Sequence, residues 1–197
     1  MGLKNSSVRF SSVTIGLHWL MLLLIILVYA TIELRTMFPK GSELREALKT
    51  WHFMLGMLVF FLTFIRLFVF FTSGPAPLIV PATSRWQPLL AGAVHYALFA
   101  LMIGLPLAGW LTLSYGGNPI PFFGIELPAL VAENKELSKQ VKEIHEVAGK
   151  VGYFFIGLHA LAALFHHYIL RDNGLSRMLP GKQQDKTEVQ KGNSGLE

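Results

Sequence analysis

The sequence predicts an all-α membrane protein: a bundle of four transmembrane helices with both termini on the same side. Three observations carry this. Of 197 residues, 52% are hydrophobic and only 15% charged, with a mean hydropathy of +0.48, against about 25% charged in a typical soluble domain. Four stretches reach the roughly 20 mostly apolar residues that a membrane helix needs. The segments between them carry the Gly, Pro and charge that end such helices. This composition excludes an ordinary soluble enzyme and a disordered chain.

The first span runs roughly from Val13 to Thr31. Lys4 and Arg9 precede it as in a signal peptide, but the apolar run is too long and no small-x-small site follows, so it reads as a true span. Phe38-Pro39-Lys40-Gly41-Ser42 breaks the chain, and the second span covers Trp51 to Phe71. Gly74, Pro75, Pro77, Pro81 and Pro88 mark an extended loop before the third span, Leu89 to Ser114. Gly116-Gly117-Asn118-Pro119 opens the next loop, whose Phe122, Phe123 and Leu127 suit the headgroup region.

From Glu133 to Lys150 the pattern turns helical and charged. Leu137, Val141, Ile144 and Ala148 recur at helical spacing, and Lys139/Glu143 and Lys142/Glu146 pair at i,i+4. The fourth span, Val147 to Leu170, therefore begins as a helix standing in water. Residues 1–180 form the membrane domain. Residues 181–197 read as a polar, disordered tail, with the final Gly-Asn-Ser-Gly-Leu-Glu in part an expression scar.

The 17 Lys and Arg exceed the 12 Asp and Glu. In so apolar a chain this excess points to lipid headgroups and topology rather than to nucleic acid. Lys4, Arg9, Arg85, Arg171, Arg177, Lys182, Lys186 and Lys191 fall on the terminal side. Arg35, Lys40, Arg45, Lys49, Lys135, Lys139 and Lys142 fall on the other. Eight against seven leaves orientation nearly tied, with termini-in favoured.

No cysteine is present. Disulfides, iron–sulfur clusters, thiol catalysis and covalent haem attachment are thereby excluded. The seven histidines carry the chemistry, because an intramembrane imidazole is costly without a partner. His18 lies in span one, His52 opens span two, and His95 is in span three. His145, His159, His166 and His167 lie on the fourth helix. At 100° and 1.5 Å per residue, His145 and His159 are about 40° off one face and about 21 Å apart along the axis. Helix direction puts His52 level with His145 and His18 level with His159. Two bis-His pairs with no cysteine suit b-type haem, whereas zinc asks for a third or fourth ligand.

Arg66 follows His52 by the same interval that separates His159 from His145. It therefore reaches the depth of His159, where a haem propionate is its natural partner. Gly16, Gly56, Gly149, Gly152 and Gly157 flank the proposed ligands, and glycine lets a flat macrocycle approach a helix closely. Four alternatives stay open. His95 replaces His18 as ligand, binds a propionate, or lines a quinone site. His166 and His167 are adjacent near the water interface, where at most one faces inward and snorkelling is the default. Arg66 snorkels from near its span end. The histidines act in helix–helix hydrogen bonds alone, in a non-redox four-span protein.

Several runs resemble one family: Gly16-Leu17-His18-Trp19, Glu33-Leu34-Arg35 with Phe38-Pro39, and Ile65-Arg66-Leu67. They continue with Gly117-Asn118-Pro119, Ile144-His145-Glu146, Gly152 through His159, His166-His167-Tyr168, Asp172-Asn173 and Arg177-Met178. Together they resemble the bacterial cytochrome b561 family over about residues 10 to 182. The resemblance implies a four-helix bundle enclosing two haems b, with His18/His159 and His52/His145 as the iron ligands. It also implies a multi-pass protein of the bacterial inner membrane with cytoplasmic termini.

Within the family the chain most resembles the member that oxidises superoxide to dioxygen and reduces ubiquinone. On that resemblance Arg35, Lys40, Arg45, Lys49 and Lys142 steer superoxide to the outer haem. The neighbouring Glu43, Glu46 and Glu143 weaken that field. His166 or His95 hydrogen-bonds the quinone. The alternative is a membrane-anchor cytochrome passing electrons between quinone and a partner redox subunit.

Overall fold

A computed structural model describes residues 4–80 and 86–181. Beyond Gly181 the expected tail lies outside the described residues, as do Pro81, Arg85, Lys182, Lys186 and Lys191. Four helices long and apolar enough to cross a membrane make up the fold. They are α1 (Ser12–Leu34), α2 (Glu43–Thr72), α3 (Trp86–Tyr115) and α4 (Lys135–Tyr168).

Local chemistry sets the ends. The Ser11 side chain accepts from the Thr14 N–H and caps α1. After Leu34 one 3₁₀ turn, Arg35–Met37, leads into Phe38-Pro39. α2 starts at Glu43, well before the apolar run at Trp51, because Glu43 and Glu46 in its first turn favour the positive end of the helix dipole. It stops at Ser73, followed by Gly74 at φ +83°, the left-handed position that commonly ends a helix. The Asn134 side chain accepts from the N–H groups of Glu136 and Leu137 and starts α4. At 34 residues, α4 is about 51 Å long, against about 30 Å of hydrocarbon. Its first turns therefore stand outside the apolar layer.

The inward face of those turns holds only part of the apolar set that recurs at helical spacing. Ile144 is 64% exposed and Leu137 is exposed. Val141 and Ala148 turn inward, together with Ser138, His145, Gly149 and Gly152. Polarity sets this register, because the inner partners are backbone oxygens that apolar side chains cannot satisfy: the Ser138 hydroxyl donates to the Thr112 carbonyl (2.9 Å). Lys142 pairs with Glu146 at 3.2 Å, whereas no ion pair links Lys139 to Glu143 among the described residues.

The loop before α4 holds a two-stranded hairpin, β1 (Pro121–Phe122) and β2 (Ile125–Glu126), that periodicity did not reveal. Phe123 and Gly124, both at positive φ, form its two-residue turn. Phe122 and Phe123 pack on Phe61 and Trp51, so the hairpin folds back over α2 rather than only lying at the headgroups.

α1 packs chiefly on α2, and α3 on α4. A small core of Met21, Leu24, Leu55 and Val59 joins α1 to α2. Most other large apolar side chains, Phe68, Phe71, Leu89 and Leu161 among them, point outward, as lipid-facing residues do. α1 meets α4 through polar side chains. The Tyr29 hydroxyl donates to the Gly149 carbonyl (2.8 Å), the Tyr153 hydroxyl donates to Glu33 (2.9 Å), and the two tyrosine rings lie 4.2 Å apart, tilted by 42°.

On the terminal side, three segments are tied together. The Arg9 guanidinium donates to the Leu179 carbonyl (2.6 Å), and the Trp19 indole to that of Met178 (2.7 Å). Asn173 exchanges hydrogen bonds with Val80, and the Asn5 N–H donates to the Ser73 carbonyl (2.8 Å). The two terminal segments thus lie together.

Candidate functional site

Two levels of histidine occupy the bundle. On the loop side His52 of α2 faces His145 of α4, with ring centroids 6.2 Å apart and planes crossed at 81°. On the terminal side His18 of α1 faces His159 of α4 at 6.1 Å and 65°. A metal–imidazole nitrogen bond is about 2.0–2.1 Å, and the ring centre lies about 1 Å behind that nitrogen. Two imidazoles on opposite sides of one metal therefore have centroids about 6 Å apart, and both pairs have that separation. His95 stands 5.0 Å from His159, too near to share a metal with it in this way. Its Nδ1–H donates to the Ala91 carbonyl of its own helix (2.6 Å).

The loop-side, outer pair would suit a haem in further respects. His52 Nδ1–H donates to the Val28 carbonyl (3.0 Å) and His145 Nδ1–H to the Leu105 carbonyl (2.9 Å). Each bond fixes ring and tautomer and leaves Nε2 free to ligate. A cavity of about 740 Å³ surrounds the pair, lined by Gly56, Gly109, Gly149 and Gly152. Around Gly56 the place of a Cβ is open space, and a Cβ on Gly109 would lie 3.4 Å from His145 Cε1. Gly152 has a second reason to be glycine: a Cβ there would collide with the Tyr29 hydroxyl.

The fit of the inner pair rests on ring separation. Arg66 Nη2 donates to His18 Nδ1 (2.9 Å) and its guanidinium lies over Phe99 (5.5 Å). Among the described residues, the Arg66 charge is therefore met by an imidazole and a ring face, not by a carboxylate side chain. With Nδ1 accepting, the His18 proton sits on Nε2, so a metal there displaces it or frees Arg66 for a haem carboxylate.

The cations proposed for steering separate into three groups. Arg35, Lys49 and Lys142 line the outer cavity, together with Lys150. Lys49 and Lys142 are ion-paired, with Glu46 (3.5 Å) and Glu146 (3.2 Å), while the buried Arg35 Nε has no partner among the described residues. Lys40 is exposed in the loop and does not line the cavity. Arg45 donates to the Arg35 and Phe38 carbonyls, bracing the turn after α1.

At the end of α4, His166 Nδ1–H donates to Asp172 Oδ2 (2.6 Å). The ring of His167 packs on Tyr168, and its buried Nδ1 has no partner among the described residues. Sequence reasoning missed Tyr29, Tyr153 and the carbonyls of Val28 and Leu105, and gave Gly109 and Asp172 no role in a site. The run Gly104-Leu105-Pro106 through Gly109 carried a signal, since proline and glycine inside a span often mark backbone reused for a site.

A family model described as prokaryotic cytochrome b561 matches residues 9–181. Over 175 residues the chain is 40% identical to cytochrome b561 homolog 1 of Escherichia coli (strain K12), covering 89% of this chain and 99% of that protein. It is 38% identical over 175 residues to the probable superoxide oxidase CybB of Yersinia pestis, covering 89% and 98%. It is 26% identical over 193 residues to cytochrome b561 homolog 2 of Escherichia coli (strain K12), covering 94% and 98%.

Proposed function

The chain belongs to the prokaryotic cytochrome b561 family of membrane electron-transfer proteins with b-type haem, and from that premise we propose that it is a di-haem superoxide:quinone oxidoreductase. In this reading it oxidises superoxide to dioxygen at its loop-side end and reduces ubiquinone toward its terminal end. It sits in the bacterial inner membrane with both termini in the cytoplasm. The observation that carries the reading is the pair of imidazole couples, each at single-metal spacing and about 21 Å apart along α4.

Haem, when bound, supplies reversible one-electron exchange. The residues do the rest. His52 and His145 hold the outer group and His18 and His159 the inner one. The Val28 and Leu105 carbonyls orient the outer imidazoles. Arg35 and Lys150 on the cavity lining attract an anion, aided by Lys49 and Lys142 to the extent that their carboxylate partners allow. Met21, Leu24, Leu55 and Val59 keep water from the space between the levels. Arg66 neutralises a carboxylate of the inner group, and His166 or His95 hydrogen-bonds a quinone oxygen. The relative from Yersinia pestis, whose name states probable superoxide oxidase, supports this substrate.

The test uses purified protein with a superoxide source and a soluble quinone analogue. Quinol formation above the uncatalysed rate, with no other subunit added, is the expected result. Absence of quinol formation assigns the electron to a partner redox enzyme. A dithionite-reduced spectrum without a split b-type α band overturns the di-haem reading.

A further inference from the structure

Reduction of a quinone consumes two protons as well as two electrons, and the reading above names no source for them. One titratable pair at the terminal end is built for proton transfer. His166 Nδ1 lies 2.6 Å from Asp172 Oδ2, with the carboxylate side chain 2% exposed and the imidazole 27% exposed. The pair is closed on itself. The Asp172 N–H donates to the His166 carbonyl (3.1 Å), and Asp172 Oδ1 accepts from the Gly174 N–H (2.8 Å). His166 lies about two turns beyond His159, about 10 Å further along α4 and about 20° off the same face.

We propose that His166 and Asp172 form the proton-delivering dyad of this protein, with His166 as donor to the bound quinone and Asp172 as its positioning residue. The proposal rests on the quinone-reducing reading. A buried carboxylate at Nδ1 fixes the tautomer and stabilises the imidazolium, leaving Nε2–H as the exchanging proton. Two superoxide anions each give one electron and leave as dioxygen. The quinone takes both electrons; the oxygen facing His166 takes one proton from Nε2, and the oxygen at the far end of the ring takes one from water. Water at the exposed edge of the ring reprotonates His166 after each transfer.

The charges around the pair support an ionised Asp172. Burial pushes its carboxyl pKa up, but the His166 and Gly174 hydrogen bonds and the charges of His166 and Arg177 outweigh burial and hold it low. Arg177 is itself buried, over the Phe10 ring, and donates to the Pro77 carbonyl. Among the described residues, the groups that act on Asp172 are His166, Gly174 and Arg177. The described part of the α2–α3 loop, residues 73–80, contributes no titratable side chain.

The experiment compares haem-loaded wild type with Asp172→Asn and His166→Gln in proteoliposomes. Asn keeps the hydrogen-bonding shape of the turn and removes only the charge. Superoxide is supplied, and haem reduction and quinol formation are followed separately by stopped-flow spectroscopy from pH 6 to pH 9. Expected are wild-type haem content and a wild-type haem-reduction burst in both variants. Quinol formation is expected to slow at least tenfold in both. Quinol formation within twofold of wild type, or loss of haem in both variants, overturns the dyad and leaves a structural brace. If wild type itself reduces its haem but forms no quinol, the quinone reading falls and the dyad with it. If all three proteins turn over alike, the dyad alone falls.

Discussion

The Tyr29 hydroxyl sits against Gly152, in the place that a Cβ would take, and donates from there to the Gly149 carbonyl. One phenol of α1 is thus seated in a notch of α4, at the wall of the outer cavity. Gly152→Ala pushes that hydroxyl out. Overpacking of this kind costs about 1–3 kcal/mol. We expect a lower thermal midpoint in detergent and weaker retention of the outer haem. Adding Tyr29→Phe, which removes the clashing oxygen, is expected to recover part of both. If the double variant is no better than Gly152→Ala, the notch is not the cause.

The ligand assignment predicts grouped losses. His52→Ala and His145→Ala are expected to remove one component of the reduced α band, and His18→Ala and His159→Ala the other, each lowering the haem-to-protein ratio by about half. His95→Ala is expected to retain both components, since its ring is 5.0 Å from His159, closer than the 6.1 Å and 6.2 Å of the two ligand pairs. A lost component in His95→Ala reassigns the inner pair.

Steering should follow the cavity lining rather than the count of cations. Arg35 lines the cavity with an Nε that has no partner among the described residues, whereas Lys40 lies outside it. Arg35→Glu is expected to slow superoxide-driven haem reduction about tenfold at low salt, the lower end of the range for electrostatic steering. Lys40→Glu should change it less than twofold. The difference should shrink as salt is raised. Equal effects of the two changes point to a diffuse surface field.

The cap of α4 makes a stability prediction. Asn134 accepts from two N–H groups of the first turn, and replacing such a cap by Ala costs about 1 kcal/mol. Asn134→Ala is expected to lower the thermal midpoint modestly and to speed hydrogen exchange in residues 135–138, with the inner haem unaffected.

Acid should loosen the terminal side first. Asp172 has its folded pKa held below the ordinary carboxylate value. Its contribution is therefore present above the unfolded pKa and lost as pH falls through the folded one. Hydrogen exchange of residues 170–178 is expected to rise below about pH 4 in wild type. Asp172→Asn should remove that pH dependence.

The four spans were legible because hydropathy and helical period are local properties that neighbouring helices do not alter. The two histidine levels followed from spacing alone, since the interval from His145 to His159 on one helix fixes both rotation and depth. The hairpin at Phe123-Gly124 was hidden because its strands are two residues each, too short for an alternating pattern. On early α4 the period alone did not separate Leu137 and Ile144, which are exposed, from Val141 and Ala148, which turn inward.

By itself the sequence determined an apolar four-span chain without thiolates, with imidazoles at two depths. Only the tertiary structure decided how far apart those imidazoles stand, which carbonyls hold their second nitrogens, and that Tyr29 needs Gly152. It also decided that Arg66 meets His18 and that Asp172 returns to His166. Period and hydropathy depend on residues a few positions apart along one helix. The gap between two facing rings, or a single hydrogen bond across helices, depends on how those helices dock, and no one-dimensional pattern carries that register.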